Sequence, residues 1–436
     1  MAVTAERTEV TASSNAQIIT ATAASVLGWS LDLFDLFILL YVAPVVGRLF
    51  FPSDLPTLSL AAVYASFAVT LLMRPVGSAV FGNYADKHGR KGAMIVAVIG
   101  VGLATAAFGL LPTVAQAGAA APVLFLVLRL IQGVFVGGVV ASTHTIGTES
   151  VPPRWRGMMS GVIGAGGAGI GALLASVAFL VTSAIFTGDS FDIWGWRCMF
   201  FAGVLSSVLG VFIFNALEES PIWREMDRSS SGPRAPLSTL FSAPHAAVLG
   251  INLLITAGGG AGYYLTSGYM PTFLKVVNQV PNSTASLLLI AGSLITIVAA
   301  VSIGHLSEMI GRKRTFILVG LLNVVLLPAC YLLLAQTQDL AMITVYSLAI
   351  AFLGNAGYAP VLIFLNERFP TAVRASGTGL SWNIGFALGG TMPTFVSLAS
   401  GSVQGIPMAL AIFLAAAFVI YLIGALIVPE TKGQMK

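Results

Sequence analysis

Apolar stretches of about 20 residues recur along the whole chain, and twelve can be placed, the first near residues 19–47 and the last near 406–428. A helix of that length crosses a hydrocarbon core of ~30 Å, and inside lipid every backbone N–H and C=O must find its partner within the chain. Apolar residues make up 57% of the 436 residues and charged residues only 9%, which is too little charge for the surface of a soluble protein. The sequence therefore predicts an all-α membrane protein with twelve transmembrane helices, surrounded by a lipid bilayer.

The loops between the predicted helices differ in charge from one side to the other. An even number of helices puts both termini on one side, and the loops and tails of that side carry most of the 21 Lys and Arg residues. The opposite loops hold only Arg48, Arg197 and Lys275. Basic loops remain on the cytoplasmic side, so both termini are predicted to be cytoplasmic in the plasma (inner) membrane. A net charge of +4 on that face suits an anionic membrane surface and does not indicate a nucleic-acid partner.

Two loop patterns occur once in each half of the chain. The run Gly82-Asn-Tyr-Ala-Asp-Lys-His-Gly-Arg-Lys has a counterpart that begins at Gly304, and the spacing of Glu149 and Arg156 is repeated at Glu367 and Arg374. Parallel duplication is typical of transporters whose substrate site lies between the repeats, near the bilayer midplane. We therefore predict two pseudo-symmetric six-helix bundles, 18–217 and 244–428, joined by a cytoplasmic linker, 218–243, with cytoplasmic tails at 1–17 and 429–436.

Four ionisable residues lie at membrane depth in the predicted helices: Asp32, Asp35, Arg74 and Arg129. A charge costs ~2.5–3.5 kcal/mol at the centre of a membrane helix, so such residues usually have a function. A rise of about 1.5 Å per residue puts Arg129 and Asp35 at similar depth, within side-chain reach, with Asp32 one turn from Asp35. We expect Asp35, with Asp32 as its partner, to bind a coupling proton and Arg129 to stabilise the deprotonated form. The alternative is that these charges only hold helices together.

The two membrane arginines are also candidates for binding an anionic solute, because the guanidinium fork matches a carboxylate. The alternative for Arg74 is that it extends to the interface or bonds a helix end. Aromatic residues in membrane helices more often pack than bind, but several polar and aromatic side chains are predicted to line the solute pathway with Arg74 and Arg129: Gln132, Tyr264, Asn355, Tyr358, Trp382 and Asn383.

The repeated loops predict gating contacts on the cytoplasmic side. Asp86 is placed to cap the first N–H groups of the eleventh helix, and Arg90 to pair with Glu149. The alternative is a solvated turn between helices. The gating candidates of the two halves are Asp86, Arg90, Glu149 and Arg156, and then Glu308, Arg312, Glu367 and Arg374.

The run from Gly82 to Lys91 resembles the signature loop of the major facilitator superfamily, G-x-x-x-D-x-x-G-R-[KR]. Arg129-Leu-Ile-Gln-Gly and the stretch from Glu149 to Gly157 resemble its metabolite–proton symporters. Asp32-Leu-Phe-Asp-Leu-Phe is similar to the D-x-F-D-F-F of the sialate and lactate permease branch. The resemblance implies the major facilitator fold and proton-coupled uptake of a small organic acid by alternating access. It also implies a functional monomer driven by the proton gradient without a cofactor.

The sequence departs from that branch at two places. Val139 follows Gly137-Gly138 where the organic-acid permeases carry an acid, and Tyr264 stands where the lactate permeases carry a histidine. These departures leave open an antiporter, or a uniporter for a neutral or zwitterionic solute. An enzyme would need a metal or nucleophile cluster at membrane depth, and an ATP-driven pump a phosphate loop. The sequence has neither pattern, so we predict no enzymatic activity and no metal.

Overall fold

The computed structural model describes residues 15–88, 90–149, 155–216, 242–370 and 374–434. Twelve long helices follow the predicted apolar stretches. The helices of the first half are α1 (Asn15–Phe50), α2 (Pro56–His88), α3 (Arg90–Phe108), α4 (Ala120–Glu149), α5 (Arg156–Ile185) and α6 (Phe191–Gly195, Trp196–Phe201 and Gly203–Ala216).

The second half repeats this arrangement. Its helices are α7 (Ala243–Tyr263, Tyr264–Gly268 and Met270–Val276), α8 (Asn282–Ile310), α9 (Arg312–Gln336), α10 (Leu340–Ala356 and Val361–Arg368), α11 (Arg374–Ala399) and α12 (Ile406–Ile427). In the described part of the chain, ten helices are long and apolar enough to cross a membrane, and α3 adds the shorter apolar segment Ile95–Phe108. The prediction of twelve membrane helices is confirmed. The linker and the N-terminal tail fall largely outside the described residues, and the boundaries of the linker and of both tails remain predictions.

The helix packing is pseudo-symmetric. In the first half α2 packs on α4, α1 on α5 and α3 on α6, and in the second half α8 packs on α10, α7 on α11 and α9 on α12. The two halves meet mainly through α2 with α11 and α5 with α8, which are also equivalent pairs when the halves are exchanged. The internal repeat in sequence is therefore a repeat in packing.

Small residues allow α5 and α8 to approach closely. A Cβ on Gly161 would lie 2.4 Å from the carbonyl oxygen of Ala300, and one on Gly169 would lie 2.7 Å from Cγ1 of Ile297. Small residues serve this purpose in membrane helices, where lipid competes with apolar side chains and close van der Waals contact drives association.

Several helices are interrupted where the halves face each other. A π-helical turn, Tyr264–Gly268, divides α7, and α10 breaks between Ala356 and Val361. Such turns are frequent at functional sites, and broken membrane helices often line substrate sites. The interruptions place α7 and α10 side chains in the middle of the interface.

The halves also touch at both ends of the bundle. At the end opposite the chain termini, the far end, the hydroxyl of Tyr64 donates a hydrogen bond of 2.8 Å to Thr272, and its ring stacks on Tyr269 at 5.0 Å. At the termini end, the Gly157 N–H donates to the Glu308 carboxylate. The structure therefore shows a state with contacts between the halves on both sides of the membrane midplane.

Candidate functional site

A buried ion pair joins α1 and α2 inside the first half. Nη2 of Arg74 lies 3.2 Å from Oδ2 of Asp32, and the two side chains are 6% and 3% exposed. Asp32 Oδ1 and Arg74 Nε have no hydrogen-bond partner. A buried pair needs good geometry and full hydrogen bonding to be strongly stabilising. This pair has a single contact, so both partners retain bonding capacity for another group.

An aromatic cluster drawn from both halves surrounds this pair. Tyr264 of α7 packs on Phe67 of α2, with ring centres 5.3 Å apart, about two helical turns from Arg74 on the same helix. Trp29 of α1 donates a hydrogen bond of 3.2 Å to the Tyr358 hydroxyl, and its ring lies 5.6 Å from that of Trp382 in α11. The two halves thus meet through tryptophan and tyrosine side chains in the middle stretch of α1.

The cluster continues along α7 and α11. The rings of Trp382 and Phe386 stack at 3.7 Å, and the Tyr263 ring lies 5.1 Å from Tyr264 and 5.1 Å from Tyr358. The Tyr263 hydroxyl is buried without a hydrogen-bond partner. Most buried polar atoms are paired, so an unpaired hydroxyl beside an incompletely bonded arginine is a feature to explain. This hydroxyl therefore has bonding capacity left for a further polar group.

Asp35 faces the interior of the first half instead of the interface between the halves. The Ser206 hydroxyl of α6 donates a hydrogen bond of 2.8 Å to its Oδ2, whereas Oδ1 has no partner. A cavity of about 10 Å³ between α1, α3 and α6 is lined by Asp32, Asp35 and Ser206. That volume is room for one water molecule. The two carboxylates therefore share one small cavity, and Asp32 stands between it and Arg74.

Arg129 is fully buried but does not contact Asp35. Its Nη1 donates a hydrogen bond of 2.7 Å to Gln132, whose amide donates one of 2.8 Å to Thr105. Its guanidinium lies 4.1 Å from the centre of the Phe108 ring, and among the described residues no carboxylate pairs with it. The expected contact with Asp35 is not formed, because helical rise gives depth but not the direction in which a side chain points.

Although Arg129 does not contact Asp35, the hydrogen-bonded series Arg129–Gln132–Thr105 ends close to Asp35, because Gly203 has no side chain. A Cβ on Gly203 would lie 2.6 Å from Cγ2 of Thr105 and 3.2 Å from Oδ1 of Asp35. Only a glycine lets α6 pass between them. Thr105 and Asp35 therefore both lie next to Gly203. Thr105 is in turn bonded to Gln132, which is bonded to Arg129.

The structure brings some of the predicted pathway residues together and separates others. Tyr264, Tyr358 and Trp382 belong to the central cluster. Asn355 donates a hydrogen bond of 3.0 Å to Ser267, in the same π-helical turn as Tyr264, and its Oδ1 is unpaired. Asn383 follows Trp382 and is also buried with an unpaired Oδ1.

Gln132 is bound between α3 and α4 and does not join the cluster. Trp29 and Ser206 are among the site residues that sequence reasoning missed. Trp29 carried a usable signal, because it precedes Asp32 by one helical turn and so shares its face. Ser206 carried none, because nothing in an apolar helix distinguishes the one serine that meets a carboxylate from distant α1.

Three of the four gating candidates of the second half, Glu308, Arg312 and Glu367, form a buried network. Arg312, only 1% exposed over its side chain, forms a two-bond contact with Glu367 at 3.1 Å and 3.1 Å and pairs with Glu308 at 2.7 Å. Thr431, just after α12, donates 2.8 Å to Glu367. Since Glu308 also accepts the N–H of Gly157, this network connects the C-terminal segment, the second half and the first.

Glu430 completes the same corner by capping the start of α9. Its carboxylate accepts the backbone N–H groups of Arg312 at 2.9 Å and Lys313 at 3.2 Å. Partial burial acts to raise the pKa of Glu430, but the backbone N–H donors of Lys432, Arg312 and Lys313 outweigh it and hold that pKa below its ordinary value. Such a carboxylate is well placed at a helix N-terminus.

The first-half gating candidates are less completely described. Arg156 begins α5 and is partly buried. The side chains of Asp86, Arg90, Glu149 and Arg374 lie outside the described residues, so the contacts expected of them remain predictions. Within the described part of the chain, no group of three or more His, Cys, Asp or Glu residues is arranged to hold a metal ion.

Comparison with solved structures gives the fold. The chain superimposes on the proton:xylose symporter XylE bound to 6-bromo-6-deoxy-D-glucose with a TM-score of 0.75 at 18% identity, covering 96% of this chain and 97% of that one. The inward-open conformation of XylE from E. coli gives a TM-score of 0.66 at 19% identity, covering 95% and 97%.

Curated sequences and a family model were also compared with this chain, and the family model gives the family. The Inner membrane metabolite transport protein YhjE of Escherichia coli (strain K12) is 29% identical over 94% of both chains. A Proline/betaine transporter of the same organism is 28% identical over 98% of this chain and 86% of its own length. The family model for the Major Facilitator Superfamily matches residues 18–390. Together with the twelve-helix fold, this match shows that the chain belongs to the Major Facilitator Superfamily, and that it is a multi-pass membrane transporter and not an enzyme.

Proposed function

We propose that this transporter symports protons with a small carboxylate-bearing solute by alternating access, and that the solute binds between Arg74 and the aromatic cluster. The Asp32–Arg74 pair carries the proposal. It is buried beside the interface of the halves, it has one contact, and both partners keep unused bonding atoms. The binding groups all come from one chain, so the proposal needs no second subunit.

Competition between Asp32 and the solute carboxylate for Arg74 would couple binding of the solute to binding of a proton. A solute carboxylate that bonds Arg74 weakens the contact of Arg74 with Asp32, because one guanidinium charge then faces two carboxylate charges. An uncompensated charge at membrane depth is costly, so Asp32 takes up a proton and the site stays neutral. Solute and proton then enter the occluded state together.

Asp35 is the proposed route of that proton. It shares with Asp32 a cavity the size of one water, and a water there would bridge the two carboxylates. Ser206 supports one oxygen of Asp35 and leaves the other open. In this arrangement Arg129 tunes the surroundings of Asp35 through Gln132 and Thr105, without a direct contact.

A zwitterionic solute is the second candidate, and the aromatic cluster favours it. Rings of Trp and Tyr attract cations through their faces, and aromatic cages recognise quaternary ammonium groups. Trp29, Trp382, Tyr263 and Tyr358 supply such faces next to Arg74. Relatives of this chain include proline/betaine transporters, whose named solutes unite a carboxylate and a cationic nitrogen. A simple organic acid would use only the Arg74 end of the site.

The gating proposal assigns the Arg312 network and its first-half equivalent to closure of the termini end. That end is proposed to be cytoplasmic, as the basic loops predict. Reporter fusions at the C-terminus and in the loop near Asp189 would test the orientation. Activity of a periplasmic reporter at the C-terminus would contradict it.

Uptake into proteoliposomes under an imposed pH gradient tests the function. The panel should contain acetate, lactate, a dicarboxylate, sialic acid, glycine betaine, proline and a neutral sugar. We expect accumulation of a carboxylate-bearing solute that collapses when the gradient is removed. Accumulation of the neutral sugar without any carboxylate would overturn the proposal.

Three variants then test the site. Arg74→Lys keeps the charge but loses the fork, and we expect KM to rise roughly tenfold or more. Asp32→Asn and Asp35→Asn should leave solute exchange but remove its dependence on the pH gradient. Asp54→Asn, at an exposed position outside the site, is the control. Gradient-driven accumulation by Asp35→Asn equal to that of the control would remove Asp35 from the proton route.

A further inference from the structure

A second cavity lies between the two halves at the far end of the bundle, away from the central site. Its volume is about 500 Å³, within the range of small-molecule sites. Its polar lining includes Arg48 of α1, Asp192 of α6, Lys275 of α7, and Gln279 and Asn282 at the α7–α8 turn. We call it the far-end cavity. None of these residues belongs to the central site.

The charges of the far-end cavity favour an anion. Arg48 and Asp192 form an ion pair of 2.6 Å whose side chains are 58% and 45% exposed. Lys275 adds a second cation, which no carboxylate pairs within the described residues. Its ammonium donates one hydrogen bond of 3.0 Å to the carbonyl oxygen of Tyr41 and lies 4.0 Å from the centre of the Phe179 ring. An ammonium has three donors, so the bond to Tyr41 leaves donor capacity for a ligand.

The backbone adds donors to the same cavity. Helix α8 begins at Asn282 after Pro281, and no side chain caps its start. The first N–H groups of a helix have no acceptor within it and carry a partial positive charge. These groups, the Lys275 ammonium and the exposed Arg48 therefore border one space.

The α7–α8 turn, which forms one wall of the far-end cavity, has a defined conformation. Gln279 adopts a left-handed backbone, with φ of 55°, and no other non-glycine residue of the described chain has a positive φ. Asn278 fixes the turn through a hydrogen bond of 2.8 Å to the carbonyl oxygen of Leu334. Strained residues held in place by their surroundings concentrate at functional sites.

We propose that the far-end cavity is a second binding site for small carboxylates, in which Lys275, Arg48 and the start of α8 hold the anion before it passes to the central site. This inference rests on the proposed function for the identity of the anion. The site itself depends only on the far-end residues. Phe191 and Val280 provide apolar walls for the rest of the molecule.

Charged thiol reagents measure the potential of this cavity directly. In a background where Cys198 and Cys330 are serine, Gln279→Cys places a thiol on the cavity wall, and Gln338→Cys places one on an exposed loop outside it. Purified protein in detergent is treated with an anionic sulfonatoethyl or a cationic trimethylammonioethyl methanethiosulfonate. For each thiol, the rate of modification by the anionic reagent is divided by the rate for the cationic reagent. We expect this ratio to be roughly tenfold higher at Gln279→Cys than at Gln338→Cys.

Charge variants assign the effect to named residues. Arg48→Gln should lower the ratio at Gln279→Cys and Asp192→Asn should raise it, each several-fold, and both positions are exposed enough to tolerate the change. Lys275→Met should lower it further than Arg48→Gln. Equal ratios at the two thiols, or a ratio indifferent to Arg48→Gln and Asp192→Asn, would overturn the proposal.

Protection of the Gln279→Cys thiol by a bound ligand would distinguish a binding site from a positive electrostatic potential alone. Propionate should slow modification of Gln279→Cys by both reagents, and the isosteric neutral propionamide should not. Protection should disappear in Lys275→Met, or in Arg48→Gln if the former does not fold. Absence of protection by propionate, or equal protection by propionamide, would refute the carboxylate site. These measurements need no transport, so their outcome is separate from that of the uptake experiment.

Discussion

The buried pair between Asp32 and Arg74 makes a quantitative prediction about the free energy of unfolding. Removing one partner of a buried ion pair leaves the other charge uncompensated, at a cost of about 3–5 kcal/mol. The pair has one contact of 3.2 Å, so the lower end of that range applies. We therefore expect Asp32→Asn and Arg74→Gln each to destabilise the transporter by about 3 kcal/mol.

The double variant separates a true pair from two independent effects. With both charges removed, neither amide leaves an unpaired charge, and replacing a buried pair by neutral groups is often tolerated. We expect Asp32→Asn/Arg74→Gln to lose about 3 kcal/mol or less, so that the two changes are non-additive by about 3 kcal/mol. The matched control is Asp32→Asn/Arg129→Gln, because Arg129 bonds Gln132 and not Asp32.

Reversible unfolding of the purified protein in mixed micelles, followed by circular dichroism as SDS is increased, gives the four free energies of each cycle. The control cycle should be additive within about 0.5 kcal/mol. An additive Asp32/Arg74 cycle would show that the two side chains are not paired in the folded protein. It would also remove the competition for Arg74 on which the proposed coupling depends.

Three further predictions concern the contacts between and beyond the halves. Gly161→Ala places a Cβ 2.4 Å from a backbone carbonyl oxygen of α8, so it should lower the free energy of unfolding by about 1–3 kcal/mol and reduce transport. Gly250→Ala, with open space around it, is the control and should change neither quantity in the same unfolding and uptake assays. Tyr64→Phe removes a hydrogen bond of 2.8 Å between the halves, which should destabilise the closed far end by about 1 kcal/mol. Thiol labelling of a cysteine placed at the far end should therefore be faster in this variant. An unchanged labelling rate would exclude Tyr64 from closure. Glu430→Gln should lower the unfolding free energy by about 1 kcal/mol at pH 7. Because the folded pKa of Glu430 is depressed, the wild-type advantage exists above the unfolded value of about 4.3 and is lost as pH falls through the folded value; an advantage that persists in acid would contradict the capping role.

The closed contacts at both ends bear on how the transporter cycles. Tyr64–Thr272 and Lys275–Tyr41 join the halves at the far end, whereas Glu308–Gly157 joins them at the termini end. Alternating access requires one set to break while the other holds. Both far-end hydrogen bonds end on neutral acceptors, whereas the termini-end bond ends on the Glu308 carboxylate, which the buried Arg312 also pairs, so we expect the far end to open more readily.

The architecture could be read from the chain because lipid imposes it. Apolar runs of helix length and the absence of any other way to satisfy the backbone make twelve helices a necessity. The duplicated loops predicted the pseudo-symmetry, and the packing pairs reproduce it. The presence of Asp32, Asp35, Arg74 and Arg129 at membrane depth was equally plain, since each interrupts an apolar run.

The pairing of those four residues could not be read in the same way. Sequence reasoning joined Arg129 to Asp35 because both lie at similar depth, whereas the structure joins Arg74 to Asp32 and turns Asp35 towards Ser206. Depth follows from counting residues along a helix. The direction of a side chain relative to another helix depends on the rotation of both helices, and close packing at positions such as Gly203 sets that rotation.

What the sequence determined by itself is the class of molecule: a membrane-embedded, internally duplicated helical transporter with charges inside it. What only the tertiary structure decided is which of those charges meet, which aromatic residues of the second half lie near them, and that a cavity lined by Arg48, Asp192 and Lys275 stands at the far end. The physical reason is that burial in lipid acts on each helix separately, whereas ion pairs, ring contacts and cavities exist only between helices.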